Sequence, residues 1–248
     1  MIKHFIVLSS SYSTGTRICM DLVDASQSEI KQTVDAVRSA FDGKLVSFST
    51  HGIVAESESW ESVVDKDPYF DDVRVVDSIE EFVDLIRRDR FLKGVDVARY
   101  ILSKTSCTHT RLQKLTYMCY AEYLCRTGGE KLFTDKIFAF DYGPVVETVY
   151  EKYRDYSMSH SGSTICEEVL KTDESKMSIR SRLLFSEDGL QKVDAIDWTL
   201  DALSDISTTD LVDMTHRSKT PWSMVDHQGA YTSISDDLIL AYHENERP

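Results

Sequence analysis

The sequence contains residue types that bind metals or attack carbonyl groups, but it lacks the spacings that such sites use. Its seven histidines form no H-x-x-x-H pair and no H-E-x-x-H motif, the spacings typical of zinc ligands on a helix. Its five cysteines form no C-x-x-C pair, and neither a phosphate-binding glycine loop nor a G-x-S-x-G nucleophile motif occurs. The pattern therefore predicts no catalytic residue, no metal site and no cofactor.

Two isolated features deserve a chemical interpretation. Ser161 lies in the run SHSGS, but no apolar strand precedes it as a hydrolase nucleophile would require, so residues 157–163 are expected to form a polar loop. His216 follows a short helical pattern, where an imidazole can satisfy free carbonyl groups. A structural cap is favoured over a catalytic base there. A Cys–His pair assembled by folding is not visible in a sequence, so that alternative stays open.

The charge of the chain narrows the classes of partner. Residues 1–92 carry 10 basic and 17 acidic side chains, and the rest carries the same excess of acids, for a net charge of −14. Such a surface repels phosphate backbones and anionic lipids, so nucleic acid and membranes are disfavoured as partners. Basic proteins are attracted, unless the acidity serves solubility alone. The odd number of unpaired cysteines favours reduced thiols and a cytoplasmic location.

The first 92 residues predict a small α+β domain with the order β-α-β-β-β-α. A short apolar strand comes first, and a capping-box pair, Ser26 and Glu29, then begins an amphipathic helix that Gly43 ends. Residues 44–50 and 52–57 are expected to form a hairpin that turns at His51–Gly52. A further strand at 72–77 and a helix that begins at Ser78 complete this domain.

After Gly94 the strand signals nearly vanish, and residues 93–248 predict a mainly α-helical domain. A long helix is expected from Thr110 to Gly128, and Pro144 is expected in the first turn of the next helix. Further helices are predicted to begin near Ser186, Ser207 and Ser235. The fold class is therefore α+β, with a small mixed domain over 1–92 and a helical domain over 93–248.

Four stretches of the second domain resemble the Panacea (SocA-like) antitoxin family. They are TRLQKLTYMCYAEYL (110–124), KIFAFDYGPVVETVYEKY (136–153), LVDMTHRSKTPWSMV (211–225) and SISDDLILAYH (233–243). Within them, the residues at the family's signature positions are Leu112, Lys114, Leu115, Tyr117, Tyr142, Gly143, Pro144, Val145, His216, Pro221 and Trp222. We call these the signature residues. The resemblance departs at Asp141, a polar residue before Tyr142, and it does not extend to residues 1–92.

The resemblance implies a cytoplasmic antitoxin of a toxin–antitoxin system, which neutralises a cognate protein toxin by direct binding and needs no cofactor. One related type of protein is a proteolytic adaptor that delivers its toxin to a cellular protease, and the domain also occurs in prophages. Residues 1–92 then look like an accessory domain. The variable contacts to the toxin are expected on 1–92 and on the polar stretch 156–181, which we expect to be a loop.

Two other classes of function compete with the antitoxin interpretation. In a small-molecule enzyme, the turn 142–145, His216 and Trp222 would surround a cleft; a structural role for all three is favoured. A DNA-binding autorepressor needs a basic recognition helix, which the acidic sequence does not contain. If Trp222 anchors the fold, its replacement by alanine is expected to lower stability by roughly 3–5 kcal/mol.

Overall fold

The computed structural model describes residues 1–11, 15–41, 46–159, 163–167, 172–225 and 231–248. These residues form two compact units, Met1–Arg90 (unit 1) and Phe91–Pro248 (unit 2). A sheet organises unit 1 and helices organise unit 2, so the predicted α+β class is confirmed. None of the helices in the described ranges combines the length and the apolar composition that a bilayer-spanning segment needs.

Unit 1 is a four-stranded sheet with helices packed on it. In chain order its elements are β1 (Ile2–Ser11), β2 (Thr16–Val23), α1 (Gln27–Ser39), β3 (Ser49–Ala55), α2 (Trp60–Lys66), β4 (Val73–Val75) and α3 (Ile79–Arg90). The strand order is β3-β1-β2-β4, with β4 parallel to β2 and the other pairs antiparallel. Because alternate residues of β1 point to opposite faces, Val7 joins an apolar cluster with α1 and α3, while Ile6 joins one with α2.

Three expectations for unit 1 were wrong or incomplete. Residues 16–23 form a strand and residues 60–66 form a helix that the pattern did not reveal. His51 and Gly52 lie inside β3, opposite Ile6 and Phe5, and do not turn a hairpin, because pairing with β1 keeps the chain extended through the glycine. Gly43 and the first two residues of the predicted strand 44–50 lie outside the described residues.

Unit 2 packs its helices around one central helix. Its elements are α4 (Gly94–Lys104), α5 (His109–Thr127), β5 (Ile137–Phe140), β6 (Gly143–Val146), α6 (Glu147–Ser159), α7 (Asp173–Leu184), α8 (Gly189–Ala202), α9 (Thr208–His216) and α10 (Asp236–Tyr242). Helix α5 is buried over most of its length and contacts α4, α6, α8, α9, α10 and β6. Gly128 ends it in the left-handed conformation that glycine adopts most easily, as predicted.

Several predicted boundaries of unit 2 need correction. The side chain that caps α5 belongs to Thr108, so Thr110 already lies inside the helix. Pro144 is a strand residue of β6 and not a first-turn helix residue, since β6 pairs with β5 before α6 begins at Glu147. The polar stretch 156–181 is not one loop, because α6 extends to Ser159 and α7 covers Asp173–Leu184. Residues 160–162 and 168–171 lie outside the described residues.

Candidate functional site

A tight hairpin, β5–β6, brings the middle group of signature residues together. Phe140 pairs with Gly143, so Asp141 and Tyr142 alone form the turn. Gly143 has a φ of +95°, a conformation that residues with a Cβ rarely adopt. The three residues that follow the turn are buried, whereas Tyr142 itself is 76% exposed at the tip. The hairpin therefore inserts its second strand into the unit and presents an aromatic ring outside it.

Lys114 joins helix α5 to this hairpin. Its side chain is fully buried, and its Nζ donates a hydrogen bond of 2.9 Å to the carbonyl oxygen of Pro144. A Cβ on Gly143 would lie 2.9 Å from that Nζ and 2.6 Å from Oγ1 of Thr215, so any larger residue would displace these side chains. Burial lowers the pKa of Lys114 to about 7, although the negative charge of Glu246 opposes this change.

The neighbouring residue of α5 makes a second link to the hairpin. The backbone N–H of Val146 donates to Oε1 of Gln113 at 2.9 Å, and Gln113 is itself buried. Its Nε2 is buried without a hydrogen-bond partner among the described residues. Leu112 and Leu115, on the same helix, belong to the main apolar cluster of the unit. Helix α5 therefore lies beneath the hairpin and hydrogen-bonds its second strand through Gln113 and Lys114.

The end of helix α9 closes the hairpin from another side. His216 has its Nδ1 2.7 Å from the carbonyl oxygen of Val212 and its Nε2 3.1 Å from that of Asp141. Both ring nitrogens therefore lie within hydrogen-bonding distance of a backbone carbonyl oxygen. The ring thus contacts both the last turn of α9 and the hairpin turn.

Trp222 contacts both His216 and the hairpin. Its indole lies against His216 with ring centroids 3.9 Å apart, and its Nε1 donates to the carbonyl oxygen of Phe140 at 2.8 Å. Pro221, immediately before it, is buried. His216 thus contacts the backbone carbonyl of Asp141, the first residue of the turn, and Trp222 contacts that of Phe140, the last residue of β5. The ring of Trp222 is only partly buried, which reduces the stability loss expected from its removal.

A buried charged network, not expected from the sequence, extends from the same helix. Oε2 of Glu246 accepts hydrogen bonds from the hydroxyl of Tyr117 at 2.8 Å and from Nδ1 of His243 at 2.9 Å. Burial raises the pKa of Glu246, and hydrogen bonds from His243 and Tyr117 oppose this only in part. The i, i+3 spacing of His243 and Glu246 was a visible signal, but nothing in the sequence placed Tyr117 beside them.

Glu122 ends this network. Its carboxylate lies 3.5 Å from Nε2 of His243 and forms ion pairs with Arg126 and Arg247. The hydrogen bond from His243 and the two guanidinium groups lower the pKa of Glu122 to about 2. Burial lowers the pKa of His243, but its hydrogen bonds to Glu122 and Glu246 outweigh burial, so the net shift is upward. The network fixes the segment 243–247 against α5.

Most signature residues therefore meet at one place, where α5, the hairpin and the end of α9 come together. Tyr142 is the exception, because it projects from the hairpin. No group of three or more side chains of the kinds that bind metals lies together in the part of the chain that the structure describes. The chemistry that this arrangement offers is a lysine with a pKa near neutrality, held in a buried hydrogen bond, and an exposed aromatic tip.

A comparison with protein families finds a similarity that covers this region. The sequence model of the family described as antitoxin SocA-like, Panacea domain, matches residues 112–223, from Leu112 to the residue after Trp222. Searches among curated proteins and among solved structures found no match. The matched range begins in α5 and includes the hairpin, α8 and α9. Residues 112–223 of unit 2 are therefore similar to the Panacea domain of SocA-like antitoxins.

Proposed function

We propose that this protein is the antitoxin of a toxin–antitoxin system and neutralises a cognate protein toxin by binding it directly. The observation that carries the proposal is the match of residues 112–223 to an antitoxin family. Neutralisation by binding needs a complementary surface of about 800 Å² on each partner, and it needs no group that exchanges protons with a substrate. Unit 1 serves as an accessory domain in this proposal.

The signature residues support a scaffolding role within this function. Lys114, Gln113 and Trp222 each hydrogen-bond the backbone of the hairpin and leave its tip exposed. Contacts to the toxin would then come from exposed side chains, which include Tyr142. We place the protein in the cytoplasm, because all five cysteines are free thiols and such thiols persist under reducing conditions. A prophage origin of the system would fit this family.

Dose dependence tests the proposal. The reading frame beside the gene should be expressed from one inducible promoter and this protein from another, with growth as the measurement. We expect rescue only while the antitoxin is present in at least equal amount, and a complex of fixed ratio after purification. A neighbouring product that is not toxic, or a toxin that this protein does not relieve, would contradict the proposal. Rescue that disappears when a cellular protease is deleted would favour the proteolytic adaptor instead.

One observation favours a small-molecule enzyme as the alternative function. A lysine with a pKa of about 7 has the protonation behaviour that proton transfer or imine formation uses at neutral pH. Lys114 is only 1% exposed, so a substrate would reach it only after the hairpin moved. Catalysis predicts that trace amounts of the protein inactivate a molar excess of toxin and that Lys114→Met abolishes this, whereas binding predicts stoichiometric protection.

A further inference from the structure

Helix α8 presents an exposed face that has no role in the hairpin site. The face consists of Leu190, Asp194, Trp198, Asp201 and Ala202, which we call the α8 face. At 100° per residue these five positions fall within about one third of the helix circumference. Leu190 is 78% exposed and Trp198 is 48% exposed, although such large apolar side chains are usually buried. A single helix face thus combines exposed apolar side chains with carboxylates.

Trp198 is held in place before any partner binds. The guanidinium of Arg126 lies 4.0 Å above the centre of its ring, and Arg126 is fixed in turn by a 2.7 Å ion pair with Glu122. Beside the indole is a small, mostly apolar pocket of about 50 Å³, to which Met118, Ala202 and Leu203 contribute. An aromatic ring that is already ordered loses little entropy on binding, and the pocket has room for part of an apolar side chain.

The exposed charges that α8 and its flanking residues carry are one-sided, whereas the two arginines beside the indole, Arg126 and Arg247, are paired with Glu122. Residues 187–205 contain six carboxylates and one lysine, Lys192, which is buried and therefore does not neutralise the surface. Asp194 and Asp201 flank Trp198 on the face, and neither forms an ion pair with a residue that the structure describes. Any partner that covers the tryptophan must also cover these carboxylates. An uncharged apolar partner would leave them desolvated and unpaired, which opposes binding.

A second copy of this chain is therefore a poor occupant. Pairing two α8 faces would oppose Asp194 and Asp201 of one copy with the same carboxylates of the other. A cationic helix with one apolar stripe satisfies both requirements, because its lysines or arginines pair with the aspartates while an apolar residue contacts Trp198. Helix-in-groove recognition of this kind uses anchors at i, i+3, i+4 and i+7 positions.

We propose that the α8 face is the docking surface for a basic amphipathic helix of the toxin. The identity of the occupant as a toxin rests on the proposed function, whereas its chemistry rests on the face alone. Docking combines the preordered indole of Trp198 and the neighbouring pocket, which supply apolar contact, with Asp194 and Asp201, which select a cationic partner and speed its association.

The first experiment measures this chemistry without a toxin. The probe is a fluorescently labelled peptide of leucine and lysine, with leucines on one face over about four helical turns, and a leucine–glutamate peptide is its control. Fluorescence anisotropy should show binding of the basic peptide alone to the full-length protein. The double change Asp194→Asn/Asp201→Asn, and separately Trp198→Ala, should each weaken binding about tenfold, as the loss of a hot spot does.

A matched pair of changes separates docking from general attraction to an acidic protein. Asp35→Asn/Asp65→Asn alters the net charge equally, at exposed residues of unit 1, and should leave the affinity nearly unchanged. Equal weakening by both pairs would overturn the inference, and so would unchanged affinity after the α8-face changes. Self-association that Trp198→Ala abolishes would also overturn it, in favour of a second copy as the occupant. Thermal melting confirms that each variant is folded.

The second experiment repeats these variants with the toxic product of the neighbouring reading frame. If the wild-type protein protects cells and the α8-face variants fail to do so while remaining folded, the inference holds for the toxin itself. If both protect equally, the docking surface is wrong and the antitoxin function stands. If the wild-type protein gives no protection, the antitoxin function fails, and the peptide measurements alone decide whether the α8 face takes a basic helix.

Discussion

The two compact units bury charged side chains to different extents. Unit 1 has two small apolar clusters on the opposite faces of its sheet, and it buries Asp89 and one histidine, His4, which hydrogen-bonds Asp21 at 2.7 Å. Unit 2 has one large apolar cluster, but it also buries Lys114, Glu122 and Glu246 along helix α5. Buried charges seldom add stability over apolar residues of the same size, although losing one partner of a pair is costly.

The buried charged residues of unit 2 position particular segments of the chain. Three of the buried charges there contact a segment that the apolar cluster alone would not position: the hairpin in the case of Lys114 and the segment 243–247 in the case of Glu122 and Glu246. Unit 1 positions its elements mainly through strand pairing, which needs no such contacts. We therefore expect polar substitutions to cost more stability in unit 2 than in unit 1.

The largest loss of stability is expected from a substitution in the β5–β6 hairpin. In Gly143→Ala the new Cβ would approach Oγ1 of Thr215 and Nζ of Lys114 too closely, and the residue would keep a φ of +95°. Strain and overpacking together should reduce the free energy of unfolding by about 3–5 kcal/mol in urea denaturation. Gly128→Ala is the control, because Gly128 also has a positive φ but has open space around it, so a loss of about 1 kcal/mol is expected. Equal losses would show that Lys114 and Thr215 do not confine the turn.

The buried network should give the next largest effect. Glu246→Ala removes the acceptor shared by Tyr117 and His243 and leaves both donors buried, so we expect a loss of about 3 kcal/mol. Asp21→Ala in unit 1 removes only the partner of His4, whose other ring nitrogen keeps its contact with the carbonyl of Ser57. A smaller loss is expected there. A larger loss for Asp21→Ala than for Glu246→Ala would reverse the contrast between the units.

Two tryptophans of unit 2 provide a comparison within one fold. Trp222→Ala removes a ring stacked on His216 and the hydrogen bond to Phe140, so about 2 kcal/mol should be lost. Trp198→Ala removes a half-exposed ring and should cost less than about 1 kcal/mol. Thermal denaturation of both variants tests this order. If Trp222→Ala melts normally but no longer protects against the toxin, Trp222 belongs to the interface and not to the scaffold.

The sequence predicted elements well where a local signal was sufficient. The capping box of Ser26 and Glu29, the helix end at Gly128 and the helix starts at Ser207 and Ser235 depend on neighbouring residues, and all are present. Prediction from the sequence failed where a residue distant along the chain decides the local conformation. Gly52 remains extended because β1 pairs with it. Helix α7 has no apolar stripe clear enough to reveal it, because only Leu183 of that helix is buried.

The candidate site shows the same limit. The resemblance named Lys114, Gly143 and Trp222, but it did not reveal that all three contact one hairpin. The network of Tyr117, His243 and Glu246 joins residues more than a hundred positions apart, and no periodic pattern encodes such a contact. Periodicity did distinguish the two faces of α8, since Val193, Ile196 and Leu203 form a buried stripe and Trp198 lies off it, but nothing in the sequence gave the exposed face a role.

The last prediction concerns the pH dependence of stability, and it isolates Lys114. Burial lowers the folded-state pKa of Lys114 to about 7, below the ordinary value of 10.5 that applies to the unfolded chain. Between these two values the unfolded state binds more protons than the folded state, so the contribution of Lys114 to stability increases as the pH rises. Below pH 7 both states carry the proton and the contribution is constant, at its least favourable value.

Lys114→Met tests this by removing the titrating group while keeping most of its apolar volume. The free energy of unfolding of the wild-type protein, minus that of the variant, should increase by on the order of 1 kcal/mol per pH unit between pH 7 and 10. Groups that titrate in both proteins, such as His243, cancel in this difference. Urea denaturation at a series of pH values gives the two curves. Parallel curves would mean that Lys114 stays charged inside the fold, in which case its hydrogen bond to Pro144 and the charge of Glu246 together outweigh burial.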